Sequence, residues 1–206
     1  ERLHYNRIKG NSLLKLIYLL SRPTVQARIQ FVKNTFRNPG PCDLIQFHYY
    51  GGAAALPETL SWMRKMMEAS GQPRPLFAGE IGYLVPGAEN FGSILDNSGR
   101  AQLEQATELV KDFATVLGSG ISHALYWYSR SWLNDGNVAP LFKTTSKPED
   151  LVPFAAAGAY RVLAHALNGL TAASSPMVAV PGIRAYSFSR SARITIAWAE
   201  GAPRTM

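Results

Sequence analysis

The sequence predicts an α/β fold, in which parallel strands alternate with helices as in the C-terminal half of a (β/α)8 TIM barrel, followed by the start of a small all-β, sandwich-like domain. Three observations lead there. Short apolar runs alternate with segments whose apolar residues recur at helical spacing; the runs are almost continuously apolar, as in strands buried on both faces; and after Gly169 the texture turns to short β-rich segments. Four predicted strands are too few to close a barrel. Residues 1–170 are therefore assigned to about strands 5–8, and residues 171–206 to a partial β-rich accessory domain.

Each element has its own warrant. Asn11 to Ser21 carries Leu13, Leu14, Ile17 and Tyr18 at helical spacing and is expected to stop at Pro23. Ala27 to Val32 alternates as a strand does. After the turn residues Asn38, Pro39, Gly40 and Pro41, Asp43 to His48 reads as a second strand. Pro57 suits a first helical turn, with Leu56, Leu60, Met63 and Met67 on one face and Gly71 as the C-terminal cap. Leu76 to Gly79 is the next strand. Arg100 to Leu117 places Leu103, Ala106, Val110, Phe113 and Leu117 on one stripe closed by Gly118, and Ile121 to Tyr128 is the last apolar strand. Phe154 to Leu167 is an alanine-rich helix ending near Gly169. Thr171 to Pro176 is linker-like, and Val178 to Val180, Arg184 to Phe188 and Arg193 to Trp198 read as short strands. One joint is tight: the ten residues from Lys33 to Cys42 leave little room for a crossover helix between parallel strands.

Composition narrows the function. With 206 residues, 47% hydrophobic, 17% charged and 11% aromatic, the chain has ample material for a packed core and an aromatic-lined cleft. The net charge of +7 permits contact with anionic partners, but the basic residues are scattered and no nucleic-acid signature accompanies them, so no nucleic-acid partner is expected. Cys42 stands alone, which rules out an intrachain disulfide and a cysteine-based metal cluster. No apolar run is long enough to span a bilayer as a helix. The chain starts at Glu1 in mid-pattern and without a signal-peptide pattern, and is expected to be a fragment.

In a (β/α)8 barrel the active site is built at the C-terminal ends of the strands. Those ends offer His48 with Tyr49 and Tyr50, then Glu80, then Trp127 with Tyr128, and less clearly Asn34. Taken singly, a glutamate at a strand end is most often a solvated loop residue, a histidine there a structural hydrogen-bonder, and a tryptophan part of the core. No metal-ligand spacing, phosphate loop or nucleophile elbow is present, and no metal or other cofactor is expected.

Taken together, Asp43-Leu-Ile-Gln-Phe-His48-Tyr-Tyr50, Pro75-Leu-Phe-Ala-Gly-Glu80-Ile-Gly82 and Ala124-Leu-Tyr-Trp127-Tyr resemble strands six, seven and eight of the clan A glycoside hydrolases, the (β/α)8 enzymes that include cellulases, mannanases and β-xylosidases. The resemblance runs from about Leu13 to Gly169, and the helix before Gly169 resembles the last barrel helix of that clan. It implies a retaining glycoside hydrolase acting on β-linked oligo- or polysaccharide. Glu80 would be the nucleophile, Tyr50 the residue that hydrogen-bonds and positions it, and Trp127 the platform beneath the sugar. His48 would be a supporting polar contact, with Tyr49, Tyr128, Arg130 and Trp132 as further substrate contacts. Related enzymes are commonly exported, so an extracellular or periplasmic location would follow.

That chemistry also needs a general acid, which the clan supplies from an Asn-Glu pair on strand four, and no Asn-Glu pair occurs in this sequence. The acid is expected on a missing N-terminal half of the barrel, and the fragment alone is expected to be inactive. Glu58, Glu68, Glu104 and Glu108 fall on predicted helices, where solvated faces are the default, and Glu89 falls in the loop after the third strand. The loop carrying Arg130, Trp132, Asn134 and Asp135 suits sugar contacts, although Asn134-Asp-Gly136 is also an ordinary turn signal. The competing reading is a noncatalytic carbohydrate-binding or degenerate barrel.

Overall fold

The computed structural model describes residues 22–83, 98–127, 140–144, 150–172, 181–190 and 193–201. The chain divides into two compact units, Glu1–Asp43 with Trp62–Arg74 and Leu44–Ser61 with Pro75–Met206. The expected helix Asn11 to Ser21 and strand Val178 to Val180 lie outside the described residues.

In the first unit, helix α1 (Pro23–Arg37) replaces the strand expected at Ala27 to Val32. Pro23 occupies the first turn of this helix, where its missing N–H costs nothing. A helical phase half-buries Val25 and Ile29 and buries Phe36, leaving Phe31 72% exposed. Phe36 meets Trp62 edge to face at 5.6 Å. The tight joint between two parallel strands does not arise, because only one of them forms.

Helix α2 (Leu56–Ala69) follows the sequence pattern closely, with Leu56, Leu60, Met63 and Met67 all buried. Gly71 ends it at φ +68°, a left-handed conformation that glycine adopts without Cβ strain, and its N–H donates to the Glu68 carbonyl at 2.9 Å.

The second unit is built on a three-stranded parallel sheet of β1 (Ile45–Tyr49), β2 (Leu76–Ile81) and β3 (Ala124–Tyr126), in that order. Ile45, Phe47, Leu76, Ala78 and Ile81 are buried, whereas Gln46 and His48 are exposed; β1 is covered on one face rather than the expected two. Helix α3 (Gly99–Gly118) begins at Ser98, whose hydroxyl accepts from the Ala101 N–H at 3.2 Å. Of the predicted stripe, Ala106 and Phe113 are buried and Val110 and Leu117 half-buried, whereas Leu103 is 65% exposed. The buried face is wider than the stripe and takes in Gln105, Leu109, Asp112, Thr115 and Val116. Gly118 serves close packing more than helix termination, since a Cβ there would lie 2.2 Å from the Tyr186 ring.

Helix α4 (Ala155–Leu167) joins α3 and β3 through Phe113, Tyr126 and Tyr160, with ring centroids 5.5 to 6.4 Å apart. Ahead of it, β4 (Phe142–Thr144) and β5 (Leu151–Pro153) form an antiparallel pair that no sequence pattern announced. Beyond it, β6 (Thr171–Ala172), β7 (Ile183–Ser189) and β8 (Arg193–Ala199) form an antiparallel sheet, so the supposed linker already begins a strand. The chain is thus a mixed α/β protein. Among the described residues no helix is long and apolar enough to cross a membrane.

Candidate functional site

The C-terminal ends of β1 and β2 bring Glu80, Tyr50 and His48 together. Ile45, Gln46 and Phe47 pair in step with Leu76, Phe77 and Ala78, after which the register shifts and His48 pairs with Glu80. β2 therefore holds one extra residue, Gly79, and β3 shows the same offset between Ala78 and Ile81. In a regular ladder Gly79 would stand beside His48, and Glu80 beside Tyr49 on the packed face. The bulge instead turns Glu80 to the open face that carries Gln46 and His48, and returns Ile81 to the core.

Gly79 is also required for space. A Cβ at this position would lie 2.1 Å from Gln46 Nε2, so the amide of Gln46 lies across the glycine. Gln46 Nε2 is 2.9 Å from His48 Nε2, and His48 Nδ1 is 3.1 Å from Glu80 Oε2. With Gln46 donating, the ring proton sits on Nδ1 and faces the carboxylate. The Tyr50 hydroxyl donates to the same Oε2 atom, and the Tyr50 ring stands edge-on to His48 at 6.4 Å. The Tyr50 hydroxyl and His48 Nδ1 thus both lie against Oε2, and Oε1 has no hydrogen bond among the described residues.

Trp127 reaches this rim by its backbone. Its N–H donates to the Ile81 carbonyl at 2.8 Å, and a Cβ on Gly82 would lie 2.4 Å from the Trp127 carbonyl oxygen. The Glu80-Ile-Gly82 sequence thus needs its glycine to let β3 approach. The Trp127 residue is 41% exposed.

Other candidates fall elsewhere. Tyr49 points to the packed side, where its hydroxyl donates to the Gly52 carbonyl at 2.7 Å and burial, ahead of the nearby Asp112 and Glu108 charges, pushes its pKa up to about 12. It is not brought to Glu80, because successive strand residues alternate faces. Asn34 lies in α1, where it accepts a hydrogen bond from Gln30 at 2.7 Å, and marks no strand exit. Tyr128, Arg130, Trp132, Asn134, Asp135 and Glu89 lie outside the described residues.

Helix α3 supplies a polar layer that hydropathy alone did not indicate. Glu104 Oε1 accepts from the Tyr83 hydroxyl just beyond β2 at 2.7 Å. Glu108 accepts from the Ala53 N–H in the loop after β1 at 2.9 Å and from Lys111 at 2.7 Å. Gln105 donates to the Tyr126 hydroxyl of β3 and to the Pro140 carbonyl, each at 3.0 Å. These two glutamates are structural anchors rather than a solvated face, whereas Glu58 and Glu68 on α2 are exposed as expected. The Tyr83 hydroxyl is held well above its usual range by burial first and then by Glu104. Asp112 is fully buried with neither carboxyl oxygen hydrogen-bonded; burial, with the Glu108 charge adding and Lys111 opposing, raises its pKa to about 9.

No protein-family model and no curated protein matches the chain. Among solved structures, a family 39 glycoside hydrolase from the gut symbiont Bacteroides cellulosilyticus WH2 is similar over 71% of this chain, at 15% identity and a TM-score of 0.46. The chain spans 28% of that protein's length.

Proposed function

We propose that the chain forms the C-terminal half of a retaining glycoside hydrolase barrel, with Glu80 as the nucleophile. One observation carries the reading: on the open face of a parallel sheet the Tyr50 hydroxyl donates to one oxygen of Glu80, His48 Nδ1 lies 3.1 Å from that same oxygen, and among the described residues the other oxygen accepts no hydrogen bond. The order of the His48-Tyr-Tyr50, Glu80-Ile-Gly82 and Trp127 segments supports it.

In this mechanism Glu80 Oε1 attacks the anomeric carbon as the glycosidic C–O bond breaks, and the departing oxygen takes a proton from a general acid. Water, deprotonated by that same acid in its basic form, then cleaves the glycosyl ester and restores the carboxylate. Tyr50 and His48 fix the carboxylate and share the charge that returns to it at each ester cleavage. The Trp127 indole is assigned to the sugar face, and Tyr128, Arg130 and Trp132 to further sugar contacts. No step calls for a metal or organic cofactor.

The general acid must lie about 5–5.5 Å from the nucleophile in a retaining enzyme. No Asn-Glu pair occurs in these 206 residues, so the acid is assigned to a polypeptide segment outside this sequence, on the complementary half of the barrel. Residues 171–206 are then read as the start of an accessory β domain.

The test is covalent labelling with 2-deoxy-2-fluoro glycosides of the chain produced together with its own upstream coding sequence. A label on the peptide carrying Glu80, abolished in Glu80→Gln while oligosaccharide binding persists, is the expected result. A label on any other carboxylate overturns the assignment. Saccharide binding without turnover or labelling identifies a noncatalytic barrel instead.

A further inference from the structure

We propose that the cleft between α3 and the end of β8 is a second binding site, built for a neutral pyranoside. It is independent of the role assigned to Glu80. The cleft encloses about 690 Å³, inside the range of roughly 300–1,000 Å³ typical of small-molecule sites. Trp198 lines it and also borders a smaller cavity of about 340 Å³. The indole rests against Tyr186, with ring centroids 5.8 Å apart and planes 39° apart, so it is a fixed platform that still borders open space.

The polar groups around Trp198 decide the class of ligand. Arg100 and Lys111 bring positive charge, and Glu104, Glu108 and Glu200 bring negative charge. Most of that charge is already matched: Lys111 pairs with Glu108, Arg184 with Glu200, and the Tyr83 hydroxyl donates to Glu104. A strongly anionic ligand would meet three carboxylates, and a cationic one would meet Arg100 and Lys111. A wholly apolar ligand would strip water from all five charged groups.

A pyranoside answers both demands. Its axial C–H groups offer an apolar face to the indole, while its ring of hydroxyls donates to carboxylate oxygens and accepts from a guanidinium. Glu104 and Glu200 each have a second carboxylate oxygen beyond the one already bonded, and exposed Arg100 has no ion pair among the described residues. The site therefore has acceptors, a donor and a platform on one cleft.

The experiment is an NMR titration of the full chain with methyl β-D-glucopyranoside and methyl β-D-xylopyranoside, followed at the assigned Trp198 indole N–H, with glucuronic acid and glucosamine as charged comparators. At least one neutral glycoside should shift the Trp198 signal with a Kd on the order of 1 mM, and Arg100→Ala, followed at that signal, or Trp198→Ala, followed at the Lys111 backbone amide, should weaken binding about tenfold or more. Glu80→Gln should leave this response unchanged. Arg100→Ala, at an exposed helical position, keeps the test valid if Trp198→Ala fails to fold. No shift at Trp198 with either glycoside, or tighter binding of a charged comparator, overturns the proposal. A response abolished by Glu80→Gln but kept in Arg100→Ala also overturns it, while leaving the catalytic reading intact.

Discussion

Replacing Asp112 with asparagine should change how stability depends on pH. The aspartate is fully buried, neither oxygen has a hydrogen-bond partner, and its pKa rises from 3.8 to about 9 on folding. Between those values the folded chain keeps a proton that the unfolded chain has released. Asp112 therefore contributes most below about pH 4, and its contribution falls as pH rises toward 9, by about 1.4 kcal/mol per pH unit. From pH 5 to pH 8 that amounts to about 4 kcal/mol. Asparagine keeps the shape without a titrating proton, so the stability difference between Asp112→Asn and the parent should grow in favour of the variant along the same slope. Whatever the amide costs through its own unmatched donors is a constant offset and does not alter the slope. Urea unfolding of both proteins at pH 5, 6, 7 and 8 measures it. A difference that stays constant over that range would show that Asp112 is ionised in the folded chain, and the account of its burial would be wrong.

Further expectations concern packing and the bulge. Gly79→Ala should push the Gln46 side chain off its rotamer at a cost of about 0.5–1.5 kcal/mol, and most of that cost should vanish in a Gln46→Ala background. Gly82→Ala should cost more, about 1–3 kcal/mol, because the new methyl meets the Trp127 backbone oxygen rather than a movable side chain; equal losses at the two glycines would contradict the geometry. Leu60→Ala should lose about 2–5 kcal/mol, whereas Leu103→Ala should lose less than about 0.5 kcal/mol. Thermal or urea unfolding distinguishes these cases.

What could be read from the sequence depended on how long each pattern ran. Leu56, Leu60, Met63 and Met67 span three turns, and a period that long is hard to mistake. Ala27 to Val32 spans six residues, too few to separate a period of 2 from one of 3.6; extending the window back to Pro23 and forward to Phe36 would have revealed the helix. On α3 the hydrophobic stripe found Ala106 and Phe113 but not the full buried face, which includes Gln105, Asp112 and Thr115, residues that no apolar template can recognise. The three-residue strands β4 and β5 are shorter than any periodic signal. That Glu80 and His48 share a rim was legible from the strand-end positions, whereas the bond from Tyr50 to Glu80 was expected only through the resemblance of their segments to barrel strands six and seven. The extra residue that aims Glu80 was not legible, because a bulge is a property of two strands read against each other.

Helix α3 touches the outgoing end of every parallel strand with a polar side chain: Glu108 at the loop after β1, Glu104 at Tyr83 after β2, and Gln105 at Tyr126 of β3. Mechanically it acts as a tie-bar across three tips that backbone hydrogen bonds from Gly82 to Tyr49 and from Trp127 to Ile81 already join to one another. None of the tips can lift without loading the same rod, so the amides of Ala53, Gly82 and Trp127 should exchange with solvent deuterium at one shared opening free energy, released together when α3 detaches.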